Sequence, residues 1–222
     1  MKVCTDACLF GAWIGRHWND VDTTNLNALD IGAGTGLLSL MLAQQTNFSI
    51  DAVEINEDAY TQAKENVSCS PWENKIHLHH RALQDFEPQK KYDFIFSNPP
   101  FFEGDLMSGE DAQNLAKHHA GITLAVWLAW VMPHLNEEGL AAILLPYHRV
   151  AYFENLLNKN SMYLQKQLHV KQTPKHAFFR SMLLFSKKEN TFVSPCSMII
   201  YEAEKQYSTS FVDLLKPYYL NL

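Results

Sequence analysis

Cysteine is scarce in this 222-residue chain and never occurs as Cys-x-x-Cys. The four present, Cys4, Cys8, Cys69 and Cys196, are irregularly spaced and read as free thiols of a reducing compartment, so a cytoplasmic location is expected. No apolar run reaches the ~20 residues that a helix needs to cross a bilayer; the longest, such as Ile122 to Met132, stop well short, and no membrane association is expected. The N-terminus carries Lys2 but no apolar core ending in small residues, so no signal peptide is read. The glycosylation-like patterns at Asn47 and Asn66 lose their meaning with it. Internal repeats and low-complexity linkers are missing too, which leaves one domain over residues 1–222. Its length and 47% hydrophobic content suffice for a full core.

Positive charge is also in short supply. A net charge of −6 argues against a protein that simply coats nucleic acid. The shortage is uneven, however. Residues 1–154 carry −11 and residues 189–222 carry −2, whereas residues 155–188 hold seven basic side chains and no acid. That basic stretch opens the C-terminal part, residues 155–222, and is a candidate polyanion footprint. A solvated turn with scattered lysines is the plainer alternative.

What is present is a regular alternation of strand and helix signals. Strands are expected at 27–31, 49–54, 75–80, 92–97 and 139–146, and helices at 5–18, 36–45, 57–69 and 120–135. Thr5 or Asp6 would cap the first helix. Residues 101–118 read as a polar loop. The order predicts an α/β fold with a mostly parallel, doubly wound sheet. A strand pair at 161–170 and 177–186 about Thr173-Pro174 adds an antiparallel C-terminal hairpin. One more strand is expected at 198–202, and a last helix at 209–218 that Pro217 would end early.

Two loops carry chemistry. Leu29-Asp30-Ile31-Gly32-Ala33-Gly34-Thr35-Gly36 follows a strand and opens a helix. Glycine permits the sharp turn and lets a ligand approach without a Cβ in the way. A dinucleotide loop, Gly-x-Gly-x-x-Gly, would need its third glycine at Leu37; it comes one residue early, at Gly36. An uncharged or zwitterionic ligand therefore fits better than a pyrophosphate. Glu54 ends the next strand, 18 residues after Gly36, where a carboxylate accepts hydrogen bonds from ribose hydroxyls. The bland alternative is a tight strand-to-helix turn.

The second loop is Asn98-Pro99-Pro100-Phe101, at the C-terminal end of the fourth strand, where open α/β sheets bind ligands. Two prolines fix both φ angles and remove two N–H donors. The Asn98 side-chain oxygen and the Pro99 carbonyl then form a rigid acceptor pair suited to a planar amino group with two hydrogens. Phe101 offers a face for stacking. Such a site answers the weak nucleophilicity of an exocyclic adenine amine, whose lone pair is delocalised into the ring. Holding both N–H groups out of plane favours a pyramidal nitrogen, and orientation supplies the rest. A proline-rich turn with Phe101 and Phe102 packed as core is the alternative.

Asp-Ile-Gly-x-Gly-x-Gly followed by Asn-Pro-Pro-aromatic resembles the Rossmann-like amino-methyltransferases. More narrowly, the chain resembles the bacterial tRNA1(Val) (adenine-37-N6)-methyltransferases. Residues 1–6, 9–13, 29–43, 50–54, 70–72, 97–102, 145–146, 207–208 and 218–220 carry the likeness. It implies S-adenosyl-L-methionine lying across Gly32, Ala33, Gly34 and Gly36, with Asp30, Glu54, Ala82, Leu83 and Asn98 about it. Asn98, Pro99, Pro100 and Phe101 would form the catalytic turn. The adenine-37 base of valine tRNA would be the acceptor, and Lys171, Lys175, His176 and Arg180 would form an RNA-contacting hairpin. Thr5 and Asp6 either close over the methionine end of the cofactor or only cap the helix. A monomer without metal is expected.

Departures accompany the likeness. Such proteins are expected to carry more residues before Met1. The acid usual after the third strand falls on Ala82, with Asp85 close by. Phe101 keeps the stacking face and loses a hydroxyl. Two rival functions remain open: methylation of a glutamine side-chain amide in a translation factor, and a non-enzymatic RNA- or cofactor-binding module. His77, His79 and His80, with His118 and His119, are read as surface or hydrogen-bonded histidines rather than zinc ligands. Lys117, His118 and His119 either touch substrate phosphate or start a solvated helix.

Overall fold

Side chains on the central strands alternate between two apolar faces. Ala28, Phe94, Phe96, Ala142 and Leu144 belong to one buried cluster, while Leu29, Ile31, Ile95, Ile143 and Leu145 belong to the other. A sheet apolar on both faces must be covered on both, and the computed structural model, which describes residues 4–99, 122–204 and 206–220, has that three-layer form. Strands β1 (Asn27–Ile31), β2 (Ser49–Glu54), β3 (Ile76–His80), β4 (Tyr92–Ser97) and β5 (Leu135–Pro146) lie parallel in the order β3-β2-β1-β4-β5. Beyond β5 the same sheet continues with β7 (Phe178–Ser186), antiparallel to both neighbours, then β6 (Tyr163–Lys171) and β8 (Cys196–Ile199). The fold is the Rossmann-like α/β architecture expected, with its antiparallel hairpin in place.

Helices α1 (Thr5–Trp18), α2 (Leu37–Gln45), α3 (Glu57–Ser68) and α6 (Thr209–Leu215) supply apolar side chains to one face. Helices α4 (Leu124–His134) and α5 (Val150–Lys159) cover the other through Trp127, Leu128 and Val131 and through Val150, Phe153 and Leu157. Between β3 and β4 there is no helix, only a single 3-10 turn at Leu83–Asp85. The sheet face there carries a polar cluster instead. The Asp51 carboxylate accepts from His79 Nε2 at 2.9 Å, Tyr92 Oη at 2.9 Å and Lys90 Nζ at 3.0 Å. Burial raises the Asp51 pKa, but these three donors outweigh it and hold the group at about 2.

Several expectations are corrected. Cys4 is the N-cap of α1 and gives no side-chain cap; Thr5 is already helical, and the helix amide that Asp6 accepts from is that of the adjacent Ala7, at 3.0 Å. Helix α5 was not anticipated. Strand β5 begins at Leu135, not 139, because the polar stretch Asn136 to Gly139 forms an irregularity opposite Tyr92–Phe94. The strand expected at 198–202 is broken after Ile199, and its second half forms β9 (Tyr201–Ala203), paired with β10 (Gln206–Tyr207). The last helix ends at Leu215, two residues before Pro217. The loop expected at 101–118, with Lys117, His118 and His119, lies outside the described residues.

Candidate active site

The five parallel strands end along one edge, and the chemistry-bearing segments leave from there. After β1 the chain turns with φ of 73° at Gly32, 57° at Gly34 and 81° at Gly36, a region that residues with a Cβ enter only at a cost. The Val53 carbonyl accepts from the Gly32 and Ala33 amides at 2.9 and 3.0 Å. The Asn66 carboxamide donates to the Thr35 carbonyl at 2.9 Å, tying the loop to α3. A Cβ at Gly36 would meet Ala63 at 3.5 Å, whereas one at Gly32 would meet nothing within 4 Å among the described residues. Gly36 thus serves packing, and Gly32 faces open space.

Glu54, buried at the end of β2, braces this loop. One carboxylate oxygen accepts from the Gly34 amide at 2.7 Å and the other from the Asn56 amide at 2.8 Å. Each oxygen keeps a second acceptor position. Asp30 lies deeper. It is fully buried, one oxygen accepts from the Ser39 hydroxyl at 2.7 Å, and the other has no partner among the described residues. Burial, aided by the Glu54 charge and opposed by the Ser39 bonds, pushes its pKa up to about 7. Its place is beneath the loop, where it anchors the first turn of α2.

Asn98 emerges beside this loop. Ser97 pairs with Ile31 in the parallel ladder, and the Ser97 hydroxyl donates to the Ile31 carbonyl at 2.7 Å. Asn98 and Gly32 are therefore the next residues on adjacent chains, which in a sheet are about 4.8 Å apart. Asn98 and Pro99 are half-buried, and among the described residues nothing hydrogen-bonds the Asn98 carboxamide. Pro100 and Phe101 lie outside the described residues. Ala82 and Leu83 follow β3 on the same edge, Ala82 half-buried and Leu83 buried. Asp85 ends that turn, exposed to solvent.

The hairpin joins the same edge, since Pro146 at the end of β5 pairs with Arg180, and Arg180 with Val170. Lys175 and His176 sit exposed in the turn, with His176 Nδ1 2.7 Å from Thr173 Oγ1. Lys171 Nζ lies 4.6 Å from the centre of the Phe178 ring. Arg180 is engaged differently from its neighbours. Its Nε donates to Asp6 at 2.8 Å and a terminal nitrogen to the Phe179 carbonyl at 3.2 Å. Burial raises the Asp6 pKa, but the Cys4 and Arg180 bonds and the Arg180 charge bring it below the usual range. Two residues assigned by sequence to different ligands are thus partners of each other. His79 and His80 are hydrogen-bonded, to Asp51 and to the Ile55 carbonyl. Sequence reading gave Ser39, Asn66 and Ser97 no role at the site, although Ser39 and Ser97 lie inside stretches that carry the resemblance.

A family model described as "Methyltransferase small domain" matches residues 19–124. A tRNA1(Val) (adenine(37)-N6)-methyltransferase of Flavobacterium johnsoniae is 37% identical over 100% of this chain and 94% of its own length. The enzyme of the same name from Dyadobacter fermentans is 40% identical over 99% of this chain and 91% of its own. The chain belongs to the tRNA1(Val) (adenine(37)-N6)-methyltransferase family. Solved structures agree on the fold of this methyltransferase family. A predicted O-methyltransferase of Agrobacterium tumefaciens superposes with a TM-score of 0.70 at 13% identity, covering 97% of this chain and 99% of that one. A ribosomal protein L11 methylase of Lactobacillus delbrueckii gives 0.56 at 21% identity, covering 81% and 77%.

Proposed function

We propose that the chain transfers a methyl group from S-adenosyl-L-methionine to N6 of adenine-37 in the anticodon loop of valine tRNA. The observation that carries this reading is the Ile31–Ser97 pairing, which brings the Asn98 acceptor alongside the open side of Gly32. The residues present fit the cofactor. Gly32 leaves room for it, Glu54 has lone pairs left for ribose hydroxyls, and Asp30 holds an unpartnered oxygen below the loop. When bound, the cofactor supplies an electrophilic methyl group on a sulfonium.

The remaining steps fall to this chain's own groups. The Asn98 oxygen and the Pro99 carbonyl accept the two N–H groups of the adenine amine and direct its lone pair at the methyl carbon. Phe101 stacks on the base after it is turned out of its loop. No strong base is required, because the amine becomes acidic once methylated and its proton then leaves. Lys171, Lys175 and His176 meet the RNA backbone from the hairpin, while Thr5 and Asp6 start α1, where Asp6 is held by Arg180 of that hairpin. Asp85, three residues beyond Ala82 and at the end of the same turn, is the acid this reading assigns where Ala82 has none. Nothing in this arrangement calls for a metal or a second subunit. A basic hairpin on the catalytic edge favours tRNA over a protein glutamine, and the names of the relatives point the same way. Mass spectrometry of tRNA nucleosides from cells with and without the gene should show N6-methyladenosine lost, and mapping of the lost base should place it at position 37 of valine tRNA. An unaltered nucleoside profile would refute the reading.

A further inference from the structure

Three aromatic rings converge on the catalytic edge, from the ends of three neighbouring strands. Tyr147 directly follows β5, Phe178 opens β7, and His169 lies near the end of β6. The Tyr147 and Phe178 ring centres are 5.0 Å apart, those of Tyr147 and His169 5.1 Å, and those of His169 and Phe178 5.4 Å. Clusters of this kind normally fill a core. Here Tyr147 is 40% exposed and Phe178 only half-buried. His169 is the buried footing, held by a 2.8 Å bond between its Nδ1 and the Ser181 hydroxyl. Burial lowers its pKa, so the ring is neutral at physiological pH and adds a face without adding charge.

We propose that Tyr147 and Phe178 form a stacking platform for an unpaired nucleobase next to the target adenine in the same RNA loop. Resting on the tRNA reading above, the inference names a second base contact that the catalytic turn does not provide. Three features select this occupant. Lys171 and Lys175 stand at the same end of the hairpin as the platform, and Arg149 is two residues from Tyr147, so its surroundings favour a polyanion over a basic or neutral peptide. Lys171 Nζ lies 4.6 Å from the centre of the Phe178 ring, which puts a cation within reach of the phosphates of a base stacked on the more exposed Tyr147. The position is also right. Strand β5 runs three residues past the Ile143–Ser97 pair, and β7 lies two strands from β4, which puts the rings about 10 Å along and about 10 Å across from Asn98. That separation suits a base close to the target in sequence. A single-stranded loop with splayed bases is the form of RNA that proteins read by stacking.

The test uses the full chain and an anticodon stem-loop of valine tRNA carrying 2-aminopurine beside the target adenine. Binding to the wild type should quench the fluorophore, and Tyr147→Ala should abolish the quenching. Tyr147→Ala and Phe178→Ala should each raise the tRNA KM on the order of tenfold, while kcat at saturating RNA falls less. Tyr147→Phe, which restores the flat face, should recover what Tyr147→Ala loses. If Phe178→Ala fails to fold, surface-exposed Tyr147 still decides. A wild type that methylates the RNA, with unchanged KM and quenching in Tyr147→Ala, overturns the platform and leaves the function standing. A wild type that neither binds nor methylates the RNA overturns both.

Discussion

At the scale of single residues, Asn98 and Gly32 divide the work of the site, one holding the acceptor and the other leaving room for the donor. Asn98→Ala removes an oxygen that no other described residue uses, so folding and donor binding should survive. Methyl transfer should fall by at least about a hundredfold, as for other groups aimed at a reacting centre; single-turnover assays beside calorimetric donor titration would separate the two. Gly32→Ala makes the opposite prediction. The added methyl meets no atom of the described residues but sits at a φ of 73°, costing about 1–2 kcal/mol and a few degrees in Tm. It should weaken donor binding far more than it lowers Tm, because it occupies the space the ligand needs. A variant that binds the donor normally would remove Gly32 from the site.

Elements show how much of this was legible in the sequence. The strands that lead into Gly32 and Asn98, and the one that ends in Glu54, were readable almost to the residue, because each is a short apolar run stopped by glycine, an acid or proline. Helix α5 was not, though Val150, Phe153 and Leu157 have helical spacing; the run is short and straddles the start of the basic segment. Strand β5 was read as starting late because Asn136-Glu137-Glu138-Gly139 has the composition of a turn. The Asp6–Arg180 pair joins residues 174 apart in sequence, a relation no local pattern encodes. It changes what the hairpin predicts. Lys175→Ala, in an exposed turn, should lower the salt slope of tRNA binding by about 0.7–0.9 and leave Tm unchanged. Arg180→Ala should lower Tm as well, because it leaves the part-buried Asp6 carboxylate without its cation. Equal melting temperatures in the two variants would deny the pair a structural role.

At the scale of the whole molecule, the main sheet has eight strands among the described residues, and the polar cluster around Asp51 occupies the stretch of its face where β3 and β4 have no helix between them. Because the folded pKa of Asp51, about 2, lies below its usual value, the cluster stabilises the fold fully above about pH 5 and loses its contribution as pH falls toward 2. The loss should be on the order of 2 kcal/mol. Denaturant midpoints measured at several acidic pH values should therefore drop more steeply for the wild type than for Asp51→Asn; parallel curves would mean the cluster is not stabilising.

The Ser97–Ile31 contact has one further consequence. A slip of a single residue between β1 and β4 would carry the Asn98 carboxamide about 3.3 Å along the sheet and turn it to the opposite side. It would also reverse Phe94, Ile95 and Phe96 between the two layers of core. Misalignment of the reacting groups is thus as costly as turning the protein's interior inside out, and the accuracy of catalysis is insured by the same bulk that keeps the chain folded.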